Sequence, residues 1–224
     1  METTANIIST EQKCEGYYQV TLKSSEDFSW SPGQYAKFTI DDAKLGTANW
    51  HIFSIASVKD EGIITIGTKS MPGKESDFKK TLFAMKEGDK VSISGPMGEF
   101  TYKNDGAPIL LYSSGIGITP IRSMLKGLEG KETPRIELVY ASSDYYMFED
   151  ELKSFAAANP NLTFTKTCSI EETNSKLSEL TKDMGNAARY YISGSPFVVK
   201  AVTENYINLG IDKSRIQSDM FVGY

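Results

Sequence analysis

Gly115-Ile116-Gly117-Ile118-Thr119-Pro120 is the stretch of this 224-residue sequence best suited to chemistry. Two glycines one residue apart let the backbone turn sharply and leave room for a bulky anion to approach. Before them, Ile109-Leu110-Leu111-Tyr112 is short and apolar, as a buried strand is. After them, Ile121, Met124, Leu125 and Leu128 recur at i, i+3, i+4 and i+7, one face of a helix. Thr119 is placed to cap that helix and Pro120 to open it. Strand, glycine turn and helix N-terminus together make a phosphate cradle, because free N–H groups and the macrodipole both favour an anion. The pattern departs from the dinucleotide fingerprint G-x-G-x-x-G, since Pro120 holds the place of the third glycine. A tight turn with no ligand is the competing reading.

Other chemistries are excluded by composition. His51 is the one histidine, so no histidine-rich metal site and no HExxH can be built. Cys14 and Cys168 are too few for a four-cysteine cluster or zinc site. A net charge of −5 argues against a nucleic-acid binder. The N-terminus lacks a signal-peptide pattern and no apolar run is long enough to span a bilayer, so a cytoplasmic, soluble protein is expected. All four arginines, Arg122, Arg135, Arg189 and Arg215, lie in the second half.

The elements that must position the glycine turn follow from two rhythms. Up to Tyr102 the β-prone runs are short, among them Tyr17–Leu22, Tyr35–Ile40, Trp50–Ser57, Gly62–Thr68 and Lys90–Ser94. Turn signals such as Ser31-Pro32-Gly33 and Gly95-Pro96-Met97-Gly98 separate them. Such spacing predicts an antiparallel Greek-key β-barrel, interrupted by one short helix over Ser76–Met85. After Asn104-Asp105-Gly106, strands alternate with helices: Ile109–Tyr112, Arg135–Tyr140, Leu162–Thr167, Tyr190–Ile192 and a last strand near Ile216. That order predicts an α/β doubly wound parallel sheet. The expected domains are 1–104 and 105–224. A helix is expected over Ser175–Met184 and another from Ser195-Pro196 through Tyr206.

Five segments in this order resemble the ferredoxin–NADP reductase-like flavoproteins over nearly the whole chain. Pro32-Gly33-Gln34-Tyr35 is similar to the PGQ(Y/F) turn of the family's barrel, and His51-Ile52-Phe53-Ser54 to its R-x-(Y/F)-S flavin strand. Gly115–Pro120 resembles its GxGxxP loop, Ser193-Gly194-Ser195-Pro196 its (C/A)-G-x-P segment, and Asp219-Met220-Phe221 its terminal acid-x-aromatic. The resemblance implies an FAD-binding barrel, an NAD(P)-binding α/β domain and an oxidoreductase that moves a hydride from NADH or NADPH to FAD. It assigns the flavin to His51, Ile52, Phe53, Ser54, Thr68, Lys69 and the helix start Gly73-Lys74-Glu75-Ser76, with Phe221 or Tyr224 over the ring. Phe53 has a competing reading as a barrel-core aromatic. The nicotinamide nucleotide falls to Gly115, Gly117, Ile118, Thr119, Pro120, Ser142, Ser143, Lys166, Ser193, Gly194 and Pro196. Catalytic roles fall to Ser54, Ser193 and Asp219.

Three departures qualify this. His51 stands where the family has arginine, and imidazole offers at most one charge and no fork. Weaker, more pH-sensitive flavin binding is expected. Ser193 replaces a cysteine or alanine. The family often has an arginine near Ser143, and its absence leaves Lys166 as one cation for a 2′-phosphate, with a lean toward NADH. The acceptor is expected to be external: a ferredoxin, another small redox protein or a quinone. Two further readings stay open. One is a flavin reductase using flavin as a diffusible substrate. The other is a non-catalytic flavin- or nucleotide-binding electron-relay protein.

Overall fold

Six strands near the N-terminus turn one face each to a common apolar core. In the computed structural model, which describes residues 1–24, 27–71 and 73–221, they are β1 (Glu2–Cys14), β2 (Tyr17–Ser24), β3 (Tyr35–Thr39), β4 (Trp50–Ser54), β5 (Ile64–Lys69) and β6 (Lys90–Met97). They pair antiparallel in the order β4-β3-β6-β1-β2-β5. Ala5, Ile7, Val20, Leu22, Ala36, Phe38, Phe53, Ile64, Ile66, Val91 and Ile93 fill the core from all six. Alternation along each strand sends these residues inward and their neighbours outward. Ala56 N donates to Thr65 O at 2.7 Å, bringing the two end strands of the order together and curling the sheet. One helix, α1 (Asp77–Ala84), adds Phe78 and Leu82 to the same core.

β1 is a strand that hydrophobic patterning does not single out. Its outward positions mix Glu2, Thr4 and Asn6 with an exposed Ile8, and its inward ones include the small Thr3 and Ala5, so the alternation carries little hydrophobic contrast. β6 runs past Ser94 through Gly95 and Pro96 to Met97, where the sequence predicts a turn. The β3–β6 register shifts there, a place where a proline costs no ladder hydrogen bond.

The second compact unit begins at Tyr102. Its strands are β7 (Ile109–Ser114), β8 (Ile136–Ala141), β9 (Leu162–Thr167), β10 (Arg189–Gly194) and β11 (Ile216–Met220). All pair parallel, in the order β11-β10-β7-β8-β9. Four helices connect them: α2 (Ile118–Leu128), α3 (Glu149–Ala158), α4 (Ile170–Met184) and α5 (Pro196–Asn208). α4 and α5 bury Leu177, Leu180, Val199, Val202 and Tyr206 on the sheet face that carries Leu110, Tyr112, Val139, Tyr190 and Ile192. α2 packs against β7 and β10, and α3 against β9 and α2. Helices on both faces make this a doubly wound sheet. The chain moves from β7 outward to β9, then crosses back to β10 on the other side. The topological switch point is therefore between β7 and β10.

Two helix starts differ from expectation. α4 begins at Ile170, not near Ser175, because Ser169 caps it and Glu172 accepts from Cys168 N (2.9 Å), the residue before the cap. α2 begins at Ile118 after a 3-10 turn over Gly115–Gly117, so Thr119 is inside the helix and is not its cap. The Thr119 hydroxyl bonds back to Ile116 O instead. Among the described residues, no helix is long and apolar enough to cross a membrane.

Candidate functional site

The second unit gathers its candidate residues at the carboxyl ends of β7 and β10. Gly115 has φ +55, which favours glycine, and a Cβ there would meet no atom within 4 Å. Gly117 is the opposite case: a Cβ would overlap the Ser193 carbonyl, so the turn lies directly on β10. At Gly194 a Cβ would come within 3.1 Å of Ser114 Cβ. Ser114, Gly117 and Gly194 thus meet at the switch point, where open α/β sheets take ligands. No side chain caps α2, whereas Ser76, Ser169 and Ser195 cap α1, α4 and α5. A helix start without a side-chain cap, beside two glycines, fits a pyrophosphate.

The remaining nucleotide residues divide by exposure. Ile118 and Thr119 are 0% and 1% exposed, and Pro120 is buried with them, so they anchor the turn from below. Ser193 is fully buried, as is Ser113 beside it in register, and neither hydroxyl has a hydrogen-bond partner. Asp219 is half-buried in register with Ser193 on the other side. Phe221 N donates to Gly194 O at 2.9 Å, which holds the chain after β11 against the end of β10. Pro196 opens α5 and is exposed. Ser142 is half-buried and Ser143 exposed, both just after β8. Lys166 lies on β9 and donates to Glu149 Oε1 at 2.7 Å. Ser113 and Ser114 were not legible as site residues; their signal was only a pair of small polar residues at a strand's end.

In the first unit, β4, the end of β5 and the start of α1 carry the candidates. Phe53 is 6% exposed and packs edge-on to Phe38 at 5.5 Å, so its place is in the core. The His51 ring stacks on it at 4.7 Å, with its Nδ1 2.9 Å from Ile52 O. Ile52 and Trp50 are 45% and 46% exposed on the outer face of this strand. Ser54 is 7% exposed. Thr68 is buried at the end of β5, and Lys69 Nζ lies 4.6 Å over the Tyr17 ring. Gly73 has φ +76 and open space beside it, Lys74 and Ser76 are exposed, and Glu75 accepts from Gly73 N at 3.2 Å. Ser76 Oγ accepts from Lys79 N, and a hydroxyl that accepts can still donate. Open glycine turn, capping serine and flanking lysines fit an anionic diphosphate. Tyr224 lies outside the described residues.

Lys79 was missed in the sequence. It is 4% exposed on the inner face of α1, and its Nζ donates to Lys69 O at 2.7 Å. Burial pulls its ammonium down to about 8. Its signal was a lysine next to Phe78 and one turn before Leu82, on the apolar stripe of α1.

Solved structures share this arrangement of elements. The cytochrome P450 reductase GcoB of Amycolatopsis superposes with a TM-score of 0.82 over 99% of this chain and 70% of its own, at 18% identity. Ferredoxin–NADP+ reductase of Plasmodium falciparum gives 0.79 over 97% and 95%, at 16% identity. The fold is that of the ferredoxin–NADP reductase-like structures. Among curated relatives, the toluate 1,2-dioxygenase electron transfer component of Pseudomonas putida is 26% identical over 97% of this chain and 67% of its own length. A component of the Na+-translocating NADH-quinone reductase of Haemophilus influenzae is 27% identical over 76% of this chain, which spans about half (48%) of that component. No protein-family model matches. Within the ferredoxin reductase-like architecture, the glycine turn occupies the switch point of the parallel sheet, and the histidine-bearing β4 is an end strand of the antiparallel one.

Proposed function

We propose that the chain is an FAD-dependent oxidoreductase that takes a hydride from NAD(P)H and passes electrons to a separate acceptor. The observation that carries this is the uncapped glycine turn at the switch point between β7 and β10. FAD, when bound, would supply the ring that accepts the hydride. Residues 1–104 are then the flavin domain and 105–224 the nucleotide domain. Ser76, the Gly73–Glu75 backbone, Lys69 and Lys74 hold the flavin's diphosphate. Ser54 orients the ring by a hydrogen bond, with Thr68 and Ile52 beside it. The Gly115 turn and the N-terminal end of α2 hold the pyrophosphate of NAD(P)H. Ser193 and Asp219 place and polarise the nicotinamide, and the buried, unpartnered Ser193 hydroxyl gains a partner when they do. Two cysteines in these 224 residues are too few for a four-cysteine cluster within them. The dioxygenase relatives favour a ferredoxin or other small redox protein as acceptor.

One observation favours a second reading, a flavin reductase whose flavin comes and goes. His51 is turned onto Phe53 and the Ile52 carbonyl, and gives the diphosphate no forked cation. Two measurements decide. A protein that keeps its yellow flavin through gel filtration supports the first reading; one that elutes colourless supports the second. Anaerobic addition of NADH or NADPH should bleach the flavin band in either case. No bleaching with either donor would leave a non-catalytic binding protein and refute both.

A further inference from the structure

Away from the glycine turn, the second unit holds a cavity of about 440 Å³ that the proposed reaction leaves unused. It lies at the opposite end of the parallel sheet, where β8 and β9 begin with Ile136 and Leu162 and where α2 and α3 end. Its size is that of a small-molecule site, and such sites have apolar walls with a few placed polar groups. Leu125, Ile136, Phe155 and Leu162 supply the apolar walls, and all four are buried.

The polar part of the rim is braced by the chain itself. Asn159 Nδ2 donates to Thr133 Oγ1 at 2.9 Å, Asn161 Nδ2 to Thr133 O at 2.8 Å, and Asn161 N to Asn159 Oδ1 at 3.0 Å. These bonds tie the loop before β8 to the loop before β9, so the two segments that border the cavity are fixed to each other.

The charge at this end suits a cation. α2 and α3 both bring their carboxyl ends to the cavity, where a helix carries the equivalent of about half a negative charge. Glu129 and Glu132 stand on the same rim. The chain's own ammonium groups show what this end attracts. Lys131 Nζ donates to Gly127 O at 2.6 Å, in the last turn of α2. Lys126 Nζ lies 2.6 Å from Glu129 Oε2 and 5.7 Å over the Phe155 ring, whose π-face favours a cation. α3 has no basic residue in its last turn. Lys126 and Lys131 balance Glu129 and Glu132 in formal charge, so the two helix ends leave the cavity negative.

We propose that this cavity binds an organic cation, an ammonium group carried on a short apolar chain. The apolar chain lies against Leu125, Ile136 and Leu162, and the ammonium faces Glu132 and the end of α3. The site is separate from the nucleotide's, because α2 meets the cavity with one end and the glycine turn with the other.

Calorimetric titration of the full chain with three probes that share a six-carbon tail tests this: hexyltrimethylammonium, hexanol and hexanesulfonate. The cation should bind about tenfold tighter than the sulfonate, with the alcohol between them. Ala158 is an exposed wall position on α3. Ala158→Trp should fill the space and abolish cation binding, with a melting curve to show that the variant is folded. Equal affinity for the three probes, tighter binding of the sulfonate, or no binding of the cation overturns the inference. So does a cation that binds the folded Ala158→Trp variant as well as the native chain. Bleaching of the flavin by NADH or NADPH is read independently of every one of these results, so the proposed function stands or falls apart from this site.

Discussion

His51 and Lys79 show how single side chains tune the first unit. An arginine in place of His51 brings a permanent charge and two parallel donors. His51→Arg should therefore tighten FAD binding by about tenfold. If His51 holds the phosphate in the native chain, FAD affinity should fall as pH rises through the imidazole range, from about 5.5 to 8.5. Fluorescence titration across that range reads both effects, and a flat native profile removes His51 from the role. Lys79 works against the fold. Its ammonium titrates at about 8 when buried, and near 10.4 in an unfolded chain. Between those values the unfolded chain binds the extra proton, so stability rises with pH through this window, and below it the charged, buried form weighs on the fold. Lys79→Met should add up to roughly 3 kcal/mol at pH 7, less the lost bond to Lys69 O. It should also flatten the rise from about pH 8 to 10. Urea unfolding at several pH values measures this. Neither partner of these residues was legible: imidazole on Phe53 and ammonium on a strand-end carbonyl both depend on which elements the fold brings together.

At the scale of elements, the glycine turn and its two neighbours make separable predictions. Gly117 is held by close packing, since a Cβ would overlap the Ser193 carbonyl. Gly117→Ala must lift α2 from β10, and should cost about 2 kcal/mol or more of stability together with nucleotide binding. Gly115 is held by conformation alone, with φ +55 and open space around it. Gly115→Ala should cost only about 1 kcal/mol in strain, yet weaken NADH binding if the turn holds the pyrophosphate as proposed, because the methyl would stand in its path. Melting curves and NADH titration of both variants separate the two effects; equal losses of stability would overturn the distinction. The turn itself was legible because hydrophobic spacing changes from a strand's run to a helix's 3.6-residue period across it. The helix start was not. Thr119 reads as a cap by type, but its hydroxyl bonds to the preceding turn once the 3-10 segment forms.

At the scale of the whole molecule, each unit has its own core and keeps its sheet hydrogen bonds within itself. The second unit starts on a turn held by an ion pair inside it, Arg189 Nε to Asp105 Oδ2 at 2.8 Å, and the guanidinium draws the Asp105 carboxyl down to about 2. That carboxylate's contribution is present above the unfolded carboxyl value and lost as pH falls toward 2. A fragment from Tyr102 to the C-terminus should therefore fold alone, melt cooperatively and bind NADH. A fragment without a cooperative melt would show that its core is insufficient by itself.

The sequence by itself determined the fold class, because alternating and helical periodicities survive without any partner. It also determined where the glycine turn stands and how little histidine, cysteine and arginine the chain has for other chemistry. Only the tertiary structure decided that β1 is a central strand, since its polar residues become a strand by pairing with β2 and β6. The same holds for the buried Ser113–Ser193 row, and for Lys166, which looks available until Glu149 is brought to it from 17 residues away. Local propensity acts within a turn or two of chain. Hydroxyls, ammonium groups and carboxylates take their roles from whatever packing sets beside them.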